Sequence, residues 1–199
     1  MQREDWDRKY AEAELLWSAT PNRFLVAEAI DLAPGGALDL ACGEGRNALW
    51  LAGLGWRVTA VDFSEVAVAK ARERAALAGL DVDFVCADLL EYEPERDAYD
   101  LVLVFYLQAP ADELRLVLSR AAGALVPGGT FLLVGHDLTN MTEGVGGPSD
   151  PRVLYTPDDV VAGLPGLEIE KAERVLRDVA DADRPAIDVL VRARRPTRS

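Results

Sequence analysis

The sequence predicts an α/β protein built on a doubly wound, mostly parallel sheet. Three observations predict it. Short apolar runs alternate with helical patterns from residue 37 to 135, which is how successive βαβ units read. The first unit carries a glycine turn, Gly43-Glu44-Gly45, where its first strand ends, and an acid, Asp62, where its second strand ends. The last two strand-like runs, Leu167–Leu176 and Ala186–Ala193, have no helical pattern between them. They are expected to form an antiparallel hairpin at one edge of the sheet.

Residues 3–17 read as a helix, with Trp6, Tyr10, Ala13 and Trp17 spaced along one face. That stripe either docks the helix on the domain or closes as a lid over a ligand; the two readings are compatible. Thr20-Pro21 is a helix start, and Ala33-Pro34-Gly35-Gly36 stops that helix after Leu32. Ala37, Leu38, Leu40 and Ala41 form the first strand. A helical pattern through Asn47, Leu49, Trp50, Leu51 and Leu54 closes at Gly55, and Val58–Val61 leads to Asp62. Ser64 caps a helix ending at Gly79, with Val66, Ala69, Ala76 and Leu77 expected among its inward positions. Val82–Cys86 is a third strand, ending in Ala87-Asp88. Residues 91–98 form a connection, and Asp100–Tyr106 is an apolar run suited to a strand buried on both faces. Pro110 opens a helix to Val126 that Pro127-Gly128-Gly129 breaks. Thr130–Gly135 is the fifth strand, with His136-Asp137 at its tip. Leu138 to Tyr155 is loop-like and glycine-rich, and Thr156-Pro157-Asp158-Asp159 is another helix start.

The bulk properties narrow the function. The 199 residues suit one domain, half apolar and 28% charged. Net charge is −13, which disfavours nucleic acid and anionic membrane surfaces as partners, since both call for a basic footprint. Two cysteines, Cys42 and Cys86, are too few for a disulfide framework or a zinc site, and no metal is expected. The Met1–Tyr10 segment lacks the apolar stretch of a secretory signal, and no run is long enough to span a membrane. A cytoplasmic location is the expectation.

The glycine turn points to a nucleoside-bearing cofactor. Gly43 and Gly45 let backbone approach a ligand, and the helix that follows directs free N–H groups to the same place. Asp62 is placed to accept from ribose hydroxyls. Two cofactors compete. Gly43-Glu44-Gly45-Arg46-Asn47-Ala48 satisfies the G-x-G-x-x-A pattern of nicotinamide dinucleotides. Three acids at successive strand ends, Asp39, Asp62 and Asp88, favour S-adenosylmethionine instead. That ligand carries an ammonium, a sulfonium, two hydroxyls and an exocyclic amine, and it has no pyrophosphate.

From Ala37 to Asp137 the chain resembles the class I S-adenosylmethionine-dependent methyltransferases. GEGRN and the run FYLQ after strand four resemble the branch that includes tellurite-resistance and thiol or thiopurine enzymes. The resemblance implies a Rossmann-like seven-stranded sheet of order 3-2-1-4-5-7-6 with the last strand antiparallel. It implies a single methyltransferase domain over 1–199, with a helical cap at 1–32, a cofactor core at 36–137 and a substrate loop, helix and hairpin at 138–199. It assigns Asp39 to the methionine ammonium, and Gly43 and Gly45 to the methionine moiety. Asp62 goes to the ribose, Phe63 to the adenine face, Asp88 and Ala87 to the adenine amine. Phe105 and Tyr106 fall at the topological switch point; Asn47, Tyr10 and Trp17 complete the expected cofactor contacts. One departure stands out: the loop's usual first glycine is Ala41. The small residue at the strand side of the turn is expected to be tolerated.

Methyl transfer from a sulfonium mainly needs alignment, and a base only for a weakly acidic acceptor. His136, the sole histidine, is the candidate base, and Tyr106 the candidate hydrogen-bonding partner. Arg46 either binds an anionic group or pairs with a surface acid. Cys42 reads as a small buried residue rather than a nucleophile. Asn140 and Tyr155 bracket the glycine-rich loop as candidate acceptor contacts, and Arg192, Arg194, Arg195 and Arg198 read as a solvated strand end. The position after strand four reads Phe105-Tyr106-Leu107-Gln108, not the Asn/Asp-Pro-Pro-aromatic tetrad common in enzymes that methylate base or amide nitrogen. A small acceptor methylated at S, Se/Te or O is expected. A dehydrogenase and a non-catalytic cofactor-binding protein remain the alternatives; only about sixty residues follow the core, few for a separate substrate domain.

Overall fold

The computed structural model describes residues 3–197. Its strands are β1 (Gly36–Leu40), β2 (Arg57–Asp62), β3 (Asp83–Cys86), β4 (Tyr99–Phe105), β5 (Leu125–His136), β6 (Glu168–Arg177) and β7 (Ala186–Arg194). Its helices are α1 (Arg3–Glu12), α2 (Arg23–Ala29), α3 (Arg46–Gly53), α4 (Glu65–Ala78), α5 (Ala111–Ala124), α6 (Asn140–Glu143) and α7 (Pro157–Ala162). The strands form one sheet in the order β3-β2-β1-β4-β5-β7-β6. β1 to β5 pair in parallel, and β7 runs antiparallel between β5 and β6. This is the expected Rossmann-like order with its reversed strand. No helix among the described residues is long and apolar enough to cross a membrane.

The sheet buries both faces, because its central strands alternate apolar side chains to each side. Leu101, Leu103 and Phe105 of β4 pack with α2, α3 and α4, whereas Val102 and Val104 pack with α5 and α7. The outermost strand, β6, is studded with Glu168, Glu170, Lys171, Glu173 and Arg174, charges that discourage edge-to-edge pairing.

Several local expectations are corrected. α1 stops at Glu12, so Ala13 and Trp17 lie beyond it. α2 starts two residues after Thr20-Pro21: the Asn22 side chain accepts from Phe24 N (2.8 Å), and Asn22 N donates to Asn47 Oδ1 (2.9 Å). A tertiary contact thus sets this helix start. α4 has the expected Ser64 cap and left-handed Gly79, but its inward face is Ala67, Val68, Ala71 and Ala75. Val66 is half-buried, Ala69 and Ala76 are exposed, and Leu77 is 83% exposed. β5 begins at Leu125, ahead of the Pro-Gly-Gly turn, with a bulge against β4. The glycine-rich loop contains α6 and a 3-10 turn at Pro151–Val153. The C-terminal arginines tie the fold together rather than extending into solvent: Arg192 reaches Glu28 and Glu170, and Arg195 reaches Asp97. Arg198 lies outside the described residues.

Candidate active site

The parallel strands end on one side of the sheet, and a cavity of about 1020 Å³ opens there. Such a crevice, beside the switch point between β1 and β4, is where open α/β sheets bind ligands. Asp62 and Asp88 line it from the ends of β2 and β3, with Phe63 beside them. Asp62 Oδ2 accepts from Gly43 N (2.8 Å) and Oδ1 from Ser64 N (2.9 Å). The carboxylate therefore braces the glycine loop against α4. Burial lifts its pKa, and the backbone hydrogen bonds oppose that rise. Asp88 Oδ1 accepts from Leu90 N (2.9 Å).

Asp39 is buried under the loop, behind the cavity lining, and among the described residues neither carboxylate oxygen has a well-formed hydrogen bond. Burial, reinforced by the nearby Asp62 and opposed by the Arg46 charge and the Ala48 amide, pushes its pKa up to about 7. A buried, unpartnered carboxylate is costly, and a cationic ligand group relieves it.

The turn itself is tightly built. Ala41, Gly43 and Gly45 all have left-handed φ, at 63°, 54° and 76°. A Cβ on Gly43 would approach the Tyr10 hydroxyl to 2.8 Å. Gly45 differs from expectation: a Cβ there would meet Ala71 and Phe84 at 3.1 Å, so this glycine serves packing between the loop, α4 and β3 rather than lining the cavity. Ala87 also packs into the core below the cavity. Cys42 is buried, as read from sequence, and burial raises its thiol pKa.

The N-terminal segment covers the loop, and the docking reading of its aromatic stripe holds for Trp6 and Tyr10. α1 docks on α4, and Trp6, Tyr10 and Trp17 line the cavity. Tyr10 is buried, which raises its phenol pKa well above the usual range, and its hydroxyl accepts from Trp17 Nε1 (3.4 Å). The Glu44 carboxylate, itself buried, accepts from Leu16 N (3.0 Å) and Trp17 N (3.3 Å). Lys70 Nζ lies 3.5 Å from Glu44 and donates to the carbonyls of Tyr10 and Ala13.

At the other end stand Tyr106, His136 and Arg177, from the ends of β4, β5 and β6. They converge on Asp188 of β7, which is fully buried. Tyr106 donates its hydroxyl to Asp188 Oδ2 (2.8 Å), and Arg177 Nε donates to the same oxygen (2.7 Å) and to the Tyr106 hydroxyl (3.1 Å). Burial works to raise the Asp188 pKa, but its hydrogen bonds and the Arg177 charge outweigh it, so the carboxyl sits below its usual value. Burial and the Asp188 charge push Tyr106 up to about 12. His136 Nδ1 lies 3.3 Å from Asp188 Oδ1, off the hydrogen-bonding direction. Its ring packs on Tyr106, with centroids 4.9 Å apart, and against Gly147.

Two expected acceptor contacts are struts instead. Asn140 accepts from Ile187 N (2.7 Å) and donates to the Gly146 carbonyl (2.8 Å). The Tyr155 hydroxyl accepts from Ala109 N (3.0 Å) and serves the Leu107 and Ala109 carbonyls. Both are buried, and neither lines the cavity. Asn47 lines it but spends its oxygen on Asn22. Arg46 lines it and makes no ion pair with a surface acid among the described residues; it donates to Ser18 Oγ (3.3 Å). Phe105 is in place as expected. Sequence reading missed Asn22, Arg177 and Asp188. For Arg177 and Asp188 the signal was an Arg and an Asp within a hairpin, which acquire meaning once the hairpin's register against β5 is known, and Asn22 carries its signal only as an N-cap.

Residues 37–129 match the family model described as methyltransferase domain. That stretch, just under half of the chain, is similar to a methyltransferase domain. The match favours the methyltransferase reading of the loop over the dinucleotide one. The chain is 34% identical over 108 residues to the ribosomal RNA small subunit methyltransferase C of Alcanivorax borkumensis, covering 52% of this chain and 33% of that protein. It is 30% identical over 96 residues to the ubiquinone biosynthesis O-methyltransferase of a Bradyrhizobium species, covering 48% of this chain and 38% of that one. The chain thus spans well under half the length of these two curated relatives. A solved structure from work on the conversion of a disulfide bond into a thioacetal group during echinomycin biosynthesis is 27% identical, with a TM-score of 0.78 over 99% of this chain and 93% of that one.

Proposed function

We propose that this protein is an S-adenosylmethionine-dependent methyltransferase that acts on a small-molecule acceptor at sulfur, a heavier chalcogen or oxygen. The observation that carries the cofactor end of the reading is Asp39, a buried carboxylate beside the glycine loop with neither oxygen in a well-formed hydrogen bond among the described residues. The residues present fit S-adenosylmethionine: Asp39 meets the ammonium, and the bare Gly43 leaves room for the chain beside it. The remaining lone pairs of Asp62 accept from the ribose hydroxyls. Asp88 would accept from the adenine amine, with Phe63 beside the ring. Tyr10 and Trp17 cover the site and exclude water.

When bound, S-adenosylmethionine supplies a methyl group on a sulfonium, already a good leaving group for in-line displacement. The chain's task is then mainly alignment of the acceptor. Tyr106, with its pKa near 12 and its proton given to Asp188, orients the acceptor and takes no proton at neutral pH. His136, on the same wall of the cavity, takes the proton of a hydroxyl acceptor; a thiol of ordinary pKa needs less help. The GEGRN and FYLQ runs and the thioacetal-related neighbour support sulfur, and the ubiquinone relative supports oxygen. The net charge of −13 supports a small molecule over nucleic acid.

Calorimetric titration with S-adenosylhomocysteine, and with NADH and NADPH in parallel, tests this. Micromolar binding of the first alone is expected. Asp62→Ala should weaken it by at least roughly tenfold, while His136→Ala stays within about twofold. Equal affinity in both variants would overturn the site assignment, and nicotinamide binding would overturn the cofactor. Tight binding with no turnover on any thiol or phenol would favour a non-catalytic role.

A further inference from the structure

The acceptor wall of the cavity is built around one imidazole. His136 and Asp188 sit directly opposite each other where β5 and β7 pair, so their side chains leave the same face of the sheet side by side. His136 Nδ1 is buried and has no hydrogen bond among the described residues, and Asp188 Oδ1 stands 3.3 Å from it. The ring is held in that pose. Tyr106 packs on it with centroids 4.9 Å apart. The backbone of Gly147, at φ 78°, closes on it so tightly that a Cβ there would meet Nδ1 at 3.0 Å and Cγ and Cε1 at 3.2 Å.

Asp188 has lone pairs to spare on the side of the ring. Its Oδ2 takes the Tyr106 hydroxyl and Arg177 Nε, whereas Oδ1 has only a long contact from Arg177 Nη2 at 3.4 Å. Despite burial, the contacts with His136, Arg177 and Tyr106 hold the carboxyl below its usual value, so it is an anion at neutral pH. A carboxylate offers only lone pairs, and a neutral imidazole carries one N–H and one lone pair. A lone pair on Nδ1 would oppose the carboxylate in a buried place; a proton on Nδ1 is attracted to it. The imidazole lone pair then falls on Nε2, which makes no hydrogen bond among the described residues, in a ring that lines the cavity.

We propose that Asp188 is a positioning residue for His136: it holds the ring proton on Nδ1, so that Nε2 presents its lone pair to a protonated acceptor group. This inference rests on the methyltransferase reading of the same site. The acceptor's proton passes to Nε2, the ring keeps its proton on Nδ1, and the imidazolium so formed stands beside a carboxylate already in place. Arg177 and Tyr106 serve the same end, because by occupying Oδ2 they leave Oδ1 to the ring.

His136 is the only histidine of the chain, so one spectrum reads it. The full chain, carrying nitrogen-labelled histidine and saturated with S-adenosylhomocysteine, is followed by long-range proton–nitrogen correlation as pH is raised until the ring signals stop moving. Nδ1 is expected upfield, protonated, and Nε2 downfield, bare, against the Nε2–H form that an unconstrained histidine favours. Asp188→Asn should exchange the two shifts. Tyr106 and Arg177 both donate to Oδ2, so the amide oxygen takes that place, its NH2 group donates to Nδ1, and the ring proton moves to Nε2. A parent spectrum with the proton on Nε2, or averaged over both nitrogens, would overturn the proposal; a carboxylate that only braced the strands would give that result. So would an Asp188→Asn protein that binds S-adenosylhomocysteine and keeps the parent's tautomer. If the variant does not fold, the parent spectrum decides alone. A parent protein that fails to bind S-adenosylhomocysteine overturns the functional reading itself, and its ring proton is still read in the free protein, so the two failures are distinct.

Discussion

Ala41 bends the chain into the glycine loop at φ 63°, a conformation that costs an L-residue roughly 1–2 kcal/mol. Its small side chain is tolerated, as the sequence suggests, but at a strain cost. Glycine removes the strain and gives back roughly 0.4–1 kcal/mol through the entropy of the unfolded chain. Ala41→Gly should therefore stabilise by about 0.5–1 kcal/mol, read as a higher urea midpoint with an unchanged slope. A lower midpoint would mean that the turn is not strained. Asp188 offers a larger effect. Asp188→Ala would leave the Arg177 guanidinium without its anion and the Tyr106 hydroxyl without its acceptor, a loss of about 3–5 kcal/mol. Because its pKa is lowered in the fold, its contribution is present above the unfolded value and fades as pH falls through the folded one. The gap between parent and variant in urea unfolding should thus shrink from pH 7 to pH 3. Neither Asp188 nor Arg177 was legible as a site residue, because both depend on register. Asp188 faces His136 across β5 and β7, and a slip of one residue would turn it to the other face. The acids at the ends of β1 to β3 were legible because each follows its own apolar run.

The N-terminal segment is held to the glycine loop and α4 by side-chain contacts and pairs with no strand of the sheet, which makes it separable from the sheet. Glu44 takes the amides of Leu16 and Trp17, and Lys70 takes the carbonyls of Tyr10 and Ala13. Lys70→Met keeps the apolar stem and removes the charge. Amide exchange across residues 3–19 should speed up severalfold, with the melting temperature of the sheet nearly unchanged. Affinity for S-adenosylhomocysteine should fall severalfold as well, since Tyr10 and Trp17 line the cavity. Unchanged exchange would assign the docking to the Glu44 and Asp7 contacts and the Trp6 and Tyr10 packing. The aromatic stripe was visible in the sequence, but the end of α1 was not, because the Ala13 carbonyl leaves the helix for Lys70. α4 failed differently. Alanine and valine recur on every side of it, so periodicity does not phase the helix. The close approach of Gly45 to Ala71 does.

At the scale of the whole molecule, a net charge of −13 meets a cavity whose nucleoside end is acidic, and this fixes the sign of the pH response. Asp39 is raised to about 7 in the fold, against an unfolded value near 3.9. Between those values the folded protein holds a proton that the unfolded chain has released. Stability of the free protein therefore falls as pH rises from about 4 to about 7, by on the order of a few kcal/mol. Asp62 shifts in the same direction, and the net negative charge adds self-repulsion at higher pH. Asp188 acts oppositely and withdraws its support in acid. The melting temperature without ligand should peak near about pH 5. S-adenosylhomocysteine should reverse the trend above that point. Its ammonium calls for an ionised Asp39, so below pH 7 binding must first expel the proton, at up to about tenfold in affinity per pH unit. The ligand-induced rise in melting temperature should grow from pH 5.5 to 8, and Asp39→Asn should flatten both the free-protein trend and the ligand response. A free protein that grows steadily more stable from pH 5 to 8, with a pH-independent ligand response, would remove Asp39 from the cofactor site.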